Sequence, residues 1–146
     1  MRSLIKESHT YFPEAYPFKD AREFQNDIKE NQDKYWFDIE TMTTKYNELV
    51  LSKYRPYFHR WFLEHFRDPT DWLDARIAFT RSTAIWAAVG HIVGLGDRHT
   101  ENILIDTTNG ELVHVDFDCL FDKGLLLQRA EIVPFRLTPN IVDAMG

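Results

Sequence analysis

Asp97 and Asn102 stand five positions apart in the run Gly96-Asp97-Arg98-His99-Thr100-Glu101-Asn102, and Asp116 follows in His114-Val115-Asp116-Phe117-Asp118. Two oxygen ligands beside a further carboxylate suit a divalent cation that bridges phosphates. Mg2+ takes hard oxygen ligands, keeps several waters, and is held by one or two side chains plus substrate phosphates. The remaining carboxylate can orient a hydroxyl and accept its proton. Together these groups support phosphoryl transfer, a reaction dominated by positioning and charge stabilisation.

The separation of Asp97 from Asn102 is that of the H-R-D-x-x-x-x-N catalytic loop of kinases, and Asp116-Phe117 stands where kinases carry D-F-G. A lone Asp-Arg-His in a loop has no such meaning; the combined pattern does. Between the two halves, Ile103-Leu104-Ile105 and Glu111-Leu112-Val113-His114-Val115 flank Thr107-Thr108-Asn109-Gly110. Two β-rich runs around Asn-Gly predict a hairpin with a two-residue type I′ turn at Asn109-Gly110. Thr108 then pairs with Glu111, and Asn102 lies opposite Asp116 or Phe117. A hairpin of this kind carries two distant oxygen ligands to one place, with Asp97 on the loop that feeds the first strand.

The elements that hold this loop read as mostly helical. The chain of 146 residues is 44% hydrophobic and 14% aromatic, enough for one domain that buries about two-thirds of its unfolded surface. Its formal net charge of −6 and the absence of a Lys/Arg run argue against direct nucleic-acid binding and weakly against an anionic membrane. The single cysteine, Cys119, cannot pair internally, which suits a reducing compartment, and it reads as a small apolar filler. No secretory signal is visible, and Ala84 to Gly96 is too short to span a bilayer and reads as core helix.

Residues 8–19 read as an irregular loop, Ala21, Phe24 and Ile28 as a short amphipathic helix, and about 33–51 as another. Arg55-Pro56 begins a third, with Phe58, Trp61, Phe62 and Phe66 as its buried stripe; its arginines read as flanking solvated charges, not a single-stranded nucleic-acid site. After Asp68-Pro69 a helix of about 71–93 is expected, capped by Thr70 or Asp71 and central to the domain. Gly90, Gly94 and Gly96 follow a helix and not a strand, so they are no dinucleotide fingerprint; they end the helix and admit the tight loop. Residues 118–134 read as loop, and Pro139-Asn140 starts a last helix.

At these residues the chain resembles the phosphatidylinositol-3-kinase-related protein kinases. The matching pieces are Gly94-Leu95-Gly96-Asp97-Arg98-His99, Asn102-Ile103-Leu104, His114-Val115-Asp116-Phe117 and Val133-Pro134-Phe135-Arg136-Leu137-Thr138. Asp118, where others carry Gly, then Cys119-Leu120-Phe121, Phe58-His59, Asp68-Pro69-Thr70 and Arg81-Ser82-Thr83-Ala84 look most like the ATR-type checkpoint branch. The resemblance is dense from about residue 46 and faint before it.

It implies an α+β fold, a mostly helical C-terminal lobe of a protein-kinase-like domain whose short β-hairpin carries the catalytic and metal-binding residues. Residues 1–95 would be its helical part, 96–117 the catalytic loop and hairpin, 116–138 the activation segment, and 139–146 the start of the next helix. By the same resemblance Asp97 faces the substrate hydroxyl and His99 lies near the γ-phosphate. Asn102 and Asp116 bind Mg2+, or Mn2+, and ATP. Asp118, Glu131, Pro134 and Phe135 shape the substrate side, with Glu131 approaching the Gln of a Ser/Thr-Gln site. Implied partners are such protein substrates, the remainder of a large kinase chain and an ATR-interacting-type regulatory subunit, with a nuclear location and a role in DNA-damage checkpoints.

Other histidines read differently. His114 is expected to be structural, and His59, His65 and His91 have no zinc spacing. Arg98 is expected to hold the loop through a carboxylate. No glycine-rich loop or N-lobe Lys is found, so the 146 residues read as part of a larger protein, inactive and poorly soluble alone. Two alternatives stand beside the protein kinase. A lipid kinase would carry a basic activation loop, yet residues 118–134 hold Lys123 and Arg129 against Asp118, Asp122 and Glu131, a net charge of −1. A pseudokinase scaffold is suggested by Asp118 in place of Gly, and opposed by retention of Asp97, Asn102 and Asp116.

Overall fold

This computed structural model describes residues 26, 39–48, 52, 56–127, 133 and 135–146. Of the helix expected around residues 21–28 only Asn26 is described, in helical conformation, and the loop at 8–19 lies outside the described residues. Two compact units divide the chain, residues 9–56 in one and residues 1–8 with 57–146 in the other. In the first, α1 (Ile39–Tyr46) carries Glu40 in its first turn, where a carboxylate complements the helix dipole.

The second unit is built on α2 (Phe58–His65), α3 (Pro69–Ile92), β1 (Ile103–Ile105), β2 (Leu112–His114) and α4 (Pro139–Met145). Helix α2 follows the aromatic spacing: Phe58, Trp61 and Phe62 are 1%, 1% and 0% exposed. Phe62 meets Phe79 of α3 edge-on at 5.2 Å, and Ile141 and Ala144 of α4 close the same core. The exposed N–H groups at the start of α2 are satisfied from α4, Tyr57 N–H donating to Asn140 Oδ1 at 3.1 Å and His59 N–H to Asp143 Oδ2 at 2.9 Å. Side chains thus fill the role that a local cap plays elsewhere.

Helix α3 starts two residues earlier than its periodicity suggests. Its cap is Asp68, whose Oδ1 accepts from Thr70 N at 2.8 Å and Asp71 N at 3.4 Å, and not Thr70 or Asp71. The reason is Pro69: lacking an N–H and with φ already helical, it suits the first helical position and moves the cap one residue before it. Ala75, Phe79, Thr83 and Gly90 form the buried face of α3, which touches α2, α4 and β2 and so makes it the central helix. Leu73, Ile77, Ile85 and Val89 remain exposed.

The strands pair antiparallel, Ile103 with His114, Leu104 with Val113 and Ile105 with Leu112. The hairpin is therefore present, but its turn is not the two-residue one expected. Asp106 N donates to Glu111 O at 2.8 Å and Gly110 N to Asp106 O at 2.8 Å, enclosing residues 107–110. Within that loop only Gly110 has positive φ, +80°, whereas a type I′ turn needs two. Asp106 Oδ1 accepts from Thr108 N at 2.7 Å and Asn109 Oδ1 from Glu111 N at 2.9 Å, so both acidic and amide side chains fold the loop on itself. Gly110 is also pressed against α3: a Cβ there would lie 2.8 Å from the Ala75 carbonyl. The register moves by two residues, which preserves the facing of every side chain. Ile103, Ile105 and Leu112 point to the core while Leu104 and Val113 face outward.

Candidate active site

The hairpin brings the two halves of the motif together. Val115 N donates to Asn102 O at 3.0 Å, continuing the ladder one step past Ile103 and His114. Asn102 thus lies across from Val115, and Asp116 is the next residue. The loop before β1 is wound tightly: Asn102 N donates to His99 O at 3.1 Å, and Asn102 Nδ2 to Asp97 O at 2.9 Å. That side-chain bond orients the buried amide, so its oxygen is the end left for a cation. Asp116 itself is exposed, with Oδ1 accepting from Asp118 N at 3.3 Å.

Asp97 and Asp116 both have positive φ, +59° and +62°. Such backbone costs about 1–3 kcal/mol per non-glycine residue and persists only where surroundings over-determine it. Arg98 supplies much of that constraint. It is 7% exposed, and its Nε donates to Gly96 O at 2.7 Å, NH1 to Val115 O at 2.8 Å and NH2 to Asp116 O. One guanidinium therefore ties the catalytic loop to the strand end that carries Asp116. Arg98 holds the loop, as expected, and three of the bonds that do so run to backbone carbonyls.

His99 Nδ1 accepts from Glu101 N at 3.2 Å. Its Nε2 lies 4.0 Å from Asp97 Oδ2, with both side chains about half exposed. A neutral imidazole whose Nδ1 accepts carries its proton on Nε2, the nitrogen facing Asp97. That Nε2–H lies on the same solvent-facing edge as the Asp97 carboxylate.

His114 is structural, as expected. Its ring stacks on Trp86 at 4.8 Å with planes 5° apart, and Nδ1 is buried with no hydrogen-bond partner among the described residues. Burial, and then the nearby Arg98 charge, lower its pKa from 6.5 to about 4. It is neutral at physiological pH. His59 is bound to Asp143 at 2.8 Å and His65 Nδ1 to Trp61 O at 3.0 Å.

The segment after Asp116 is sewn to the loop before Asp97. Gly96 N donates to Cys119 O at 2.7 Å, Phe121 N to Val93 O at 2.9 Å and Asp122 N to Gly94 O at 3.1 Å. Gly94 has φ +58°, and a Cβ there would sit 2.5 Å from Asp122 N. Only glycine fits. Cys119 is half-buried. Asp118 has no positive φ, so its position does not require a glycine. Phe135 is 45% exposed and lines an open concavity with Leu95, Arg98, Leu137 and Thr138. Glu131 and Pro134 lie outside the described residues.

The donor set fits Mg2+ or Mn2+ held partly by substrate. Asn102 and Asp116 offer hard oxygens from adjacent backbone positions, and such ions complete their shell with phosphates and water. Among the described residues no group of three His, Cys, Asp or Glu side chains is placed to hold a metal alone. Trp86 and Ser82 were not anticipated. Ser82 Oγ accepts from Leu112 N at 2.8 Å and Trp86 Nε1 donates to Leu112 O at 3.0 Å. Their i, i+4 spacing on a helix was the available signal.

A mostly helical lobe with a hairpin, a tight Asp-Arg-His loop and an Asp-Phe turn defines a protein-kinase-like fold. The chain belongs to the phosphatidylinositol 3- and 4-kinase family, whose model matches residues 29–146. It is 59% identical over 97 residues to the serine/threonine-protein kinase ATR of Oryza sativa subsp. indica, covering 66% of this chain and 4% of that protein. The serine/threonine-protein kinase MEC1 of Kluyveromyces lactis is 46% identical over 146 residues, 100% of this chain and 6% of MEC1. The solved open conformation of CtTel1 superposes with a TM-score of 0.81 at 38% identity, covering 99% of this chain and 5% of that one. The chain thus spans only a few per cent of the length of these relatives.

Proposed function

We propose that this segment is the catalytic-loop region of a serine/threonine protein kinase of the checkpoint type, transferring the ATP γ-phosphate to Ser or Thr followed by Gln in protein substrates. The observation that carries this reading is the junction tied by Arg98, which joins the catalytic loop to the turn at Asp116. Around it Asp97 orients the substrate hydroxyl and accepts its proton, with His99 beside it. Asn102 and Asp116 hold Mg2+, which when bound neutralises charge on the phosphates. Asp118, Phe135 and the residues at 131 and 134 shape the substrate side. A nuclear location, a large surrounding kinase chain and a regulatory subunit of the ATR-interacting type go with the same reading.

Naming of the relatives as serine/threonine-protein kinases supports a protein substrate. A phosphoinositide substrate is the second reading, since the family description includes lipid kinases; the net charge of −1 over residues 118–134 disfavours it. The pseudokinase reading is disfavoured by retention of Asp97, Asn102 and Asp116. The test uses the full-length protein with Mg2+-ATP and offers it a Ser-Gln peptide or phosphatidylinositol vesicles. Peptide phosphorylation that falls steeply in Asp97→Asn and Asp116→Ala is expected; lipid phosphorylation alone, or none by the parent, refutes the proposal. Alone, the 146 residues are expected to label neither substrate, because the described residues offer no glycine-rich cradle for phosphates.

A further inference from the structure

Both neighbours of the turn at Asp116 rest on one indole that no catalytic role assigns. Trp86 of α3 stacks on His114, two residues before Asp116, at 4.8 Å and 5°, and on Phe117, the residue after it, at 5.9 Å and 21°. The same ring donates its N–H to Leu112 O. One turn earlier on α3, Ser82 accepts from Leu112 N.

Leu112 lies opposite Ile105 in the register, while the bonded ladder steps flank that pair, with Asp106 N donating to Glu111 O. The polar groups of Leu112 therefore point away from β1, toward α3, and would be orphaned without these two side chains. A buried backbone group left unpaired is costly. Helix α3 thus fixes where β2 sits through hydrogen bonds, and where its exit turns through ring stacking.

Asp116 needs such support. Its φ of +62° is uncommon for a non-glycine residue, and its side chain is exposed, with Oδ1 accepting from Asp118 N at 3.3 Å. Arg98 holds its carbonyl from one direction. The indole braces the residues on either side of it from another. Phe117 is 46% exposed, so the stack on Trp86 is a principal contact that orients it.

We propose that Trp86 is a positioning residue for the cation-binding carboxylate: by holding Leu112, His114 and Phe117 on one ring, it sets the direction in which Asp116 presents its oxygens. The inference rests on the kinase reading of Asp116. Outer groups that orient metal ligands typically change metal affinity by about 10- to 100-fold when removed.

The experiment titrates Mg2+ against the full-length protein at fixed ATP and follows the ATP-induced rise in melting temperature, a readout that needs no turnover. In Trp86→Leu, which loses both stack and N–H, the Mg2+ concentration for half the effect should rise about tenfold. Trp86→Phe keeps a ring and most of the volume, so it should fall between wild type and Trp86→Leu. Should Trp86→Leu not fold, Trp86→Phe decides alone. Unchanged Mg2+ dependence in the folded variants, with only a lower melting temperature without nucleotide, would show that Trp86 merely fills space and overturns the inference. Asp116→Ala separates the two levels. If it abolishes the Mg2+ effect while the Trp86 variants do nothing, only the positioning role falls; if it too leaves the effect intact, the cation-site reading falls and takes this inference with it.

Discussion

Arg98 shows how a single side chain can join the two segments that carry the candidate catalytic and cation-binding groups. Its three carbonyl acceptors lie on both halves of the motif, so removing it orphans groups on two segments at once. Each orphaned buried acceptor costs about 1–3 kcal/mol. Arg98→Met should accordingly speed amide hydrogen exchange at Gly96 and Val115 by roughly 100-fold, the equivalent of losing about 3 kcal/mol of local stability. Exchange as slow as in the parent would contradict the tie. Asp97 is a different kind of residue, placed at the surface of the loop beside His99. Asp97→Asn keeps shape but removes the carboxylate that the proposed mechanism uses as proton acceptor. Its kcat on a Ser-Gln peptide should drop by about 10²- to 10⁴-fold with KM for ATP little changed.

At the scale of elements, the loop before the motif and the segment after it depend on one small residue. Gly94→Ala would place a methyl group 2.5 Å from Asp122 N and force alanine into left-handed backbone, which alone costs roughly 1–2 kcal/mol. The pairing of 93–96 with 119–122 should open, seen as faster exchange at Phe121 and Asp122 and new protease cleavage between residues 119 and 127. Helix α3 gives a milder case. Asp68→Ala removes the acceptor for Thr70 and Asp71 N–H groups and should cost about 1 kcal/mol, while Asp68→Asn should be nearly neutral. A larger loss in Asn than in Ala would show that charge, not capping geometry, matters there.

Over the whole described chain, apolar surface is distributed unevenly. The core between α2, α3, α4 and the hairpin is closed, yet Ile85 and Ile92 on α3 are 61% and 81% exposed. Patches of this kind promote association. The 146 residues expressed alone should scatter light at micromolar concentration, and the double change Ile85→Glu and Ile92→Glu should raise soluble yield without altering the far-ultraviolet circular dichroism. Equal aggregation in both would point to another surface. No helix among the described residues is long and apolar enough to cross a membrane.

What the amino-acid order determined by itself was the inventory: the spacing of Asp97, Asn102 and Asp116, the existence of a hairpin between them, the aromatic face of α2 and the central place of α3. These are legible because periodicity, turn composition and residue chemistry act over a few neighbours. Tertiary contact decided the rest. Gly110 pressed on Ala75 chose a four-residue loop over a two-residue turn, whereas the cap at Asp68 was a local signal in Asp68-Pro69. The grip of Trp86 and Ser82 on Leu112, and of Arg98 on the carbonyls of Val115 and Asp116, spans residues 17 to 30 positions apart. Such bonds go to backbone atoms that every residue possesses, so no side-chain pattern announces them until the chain has folded.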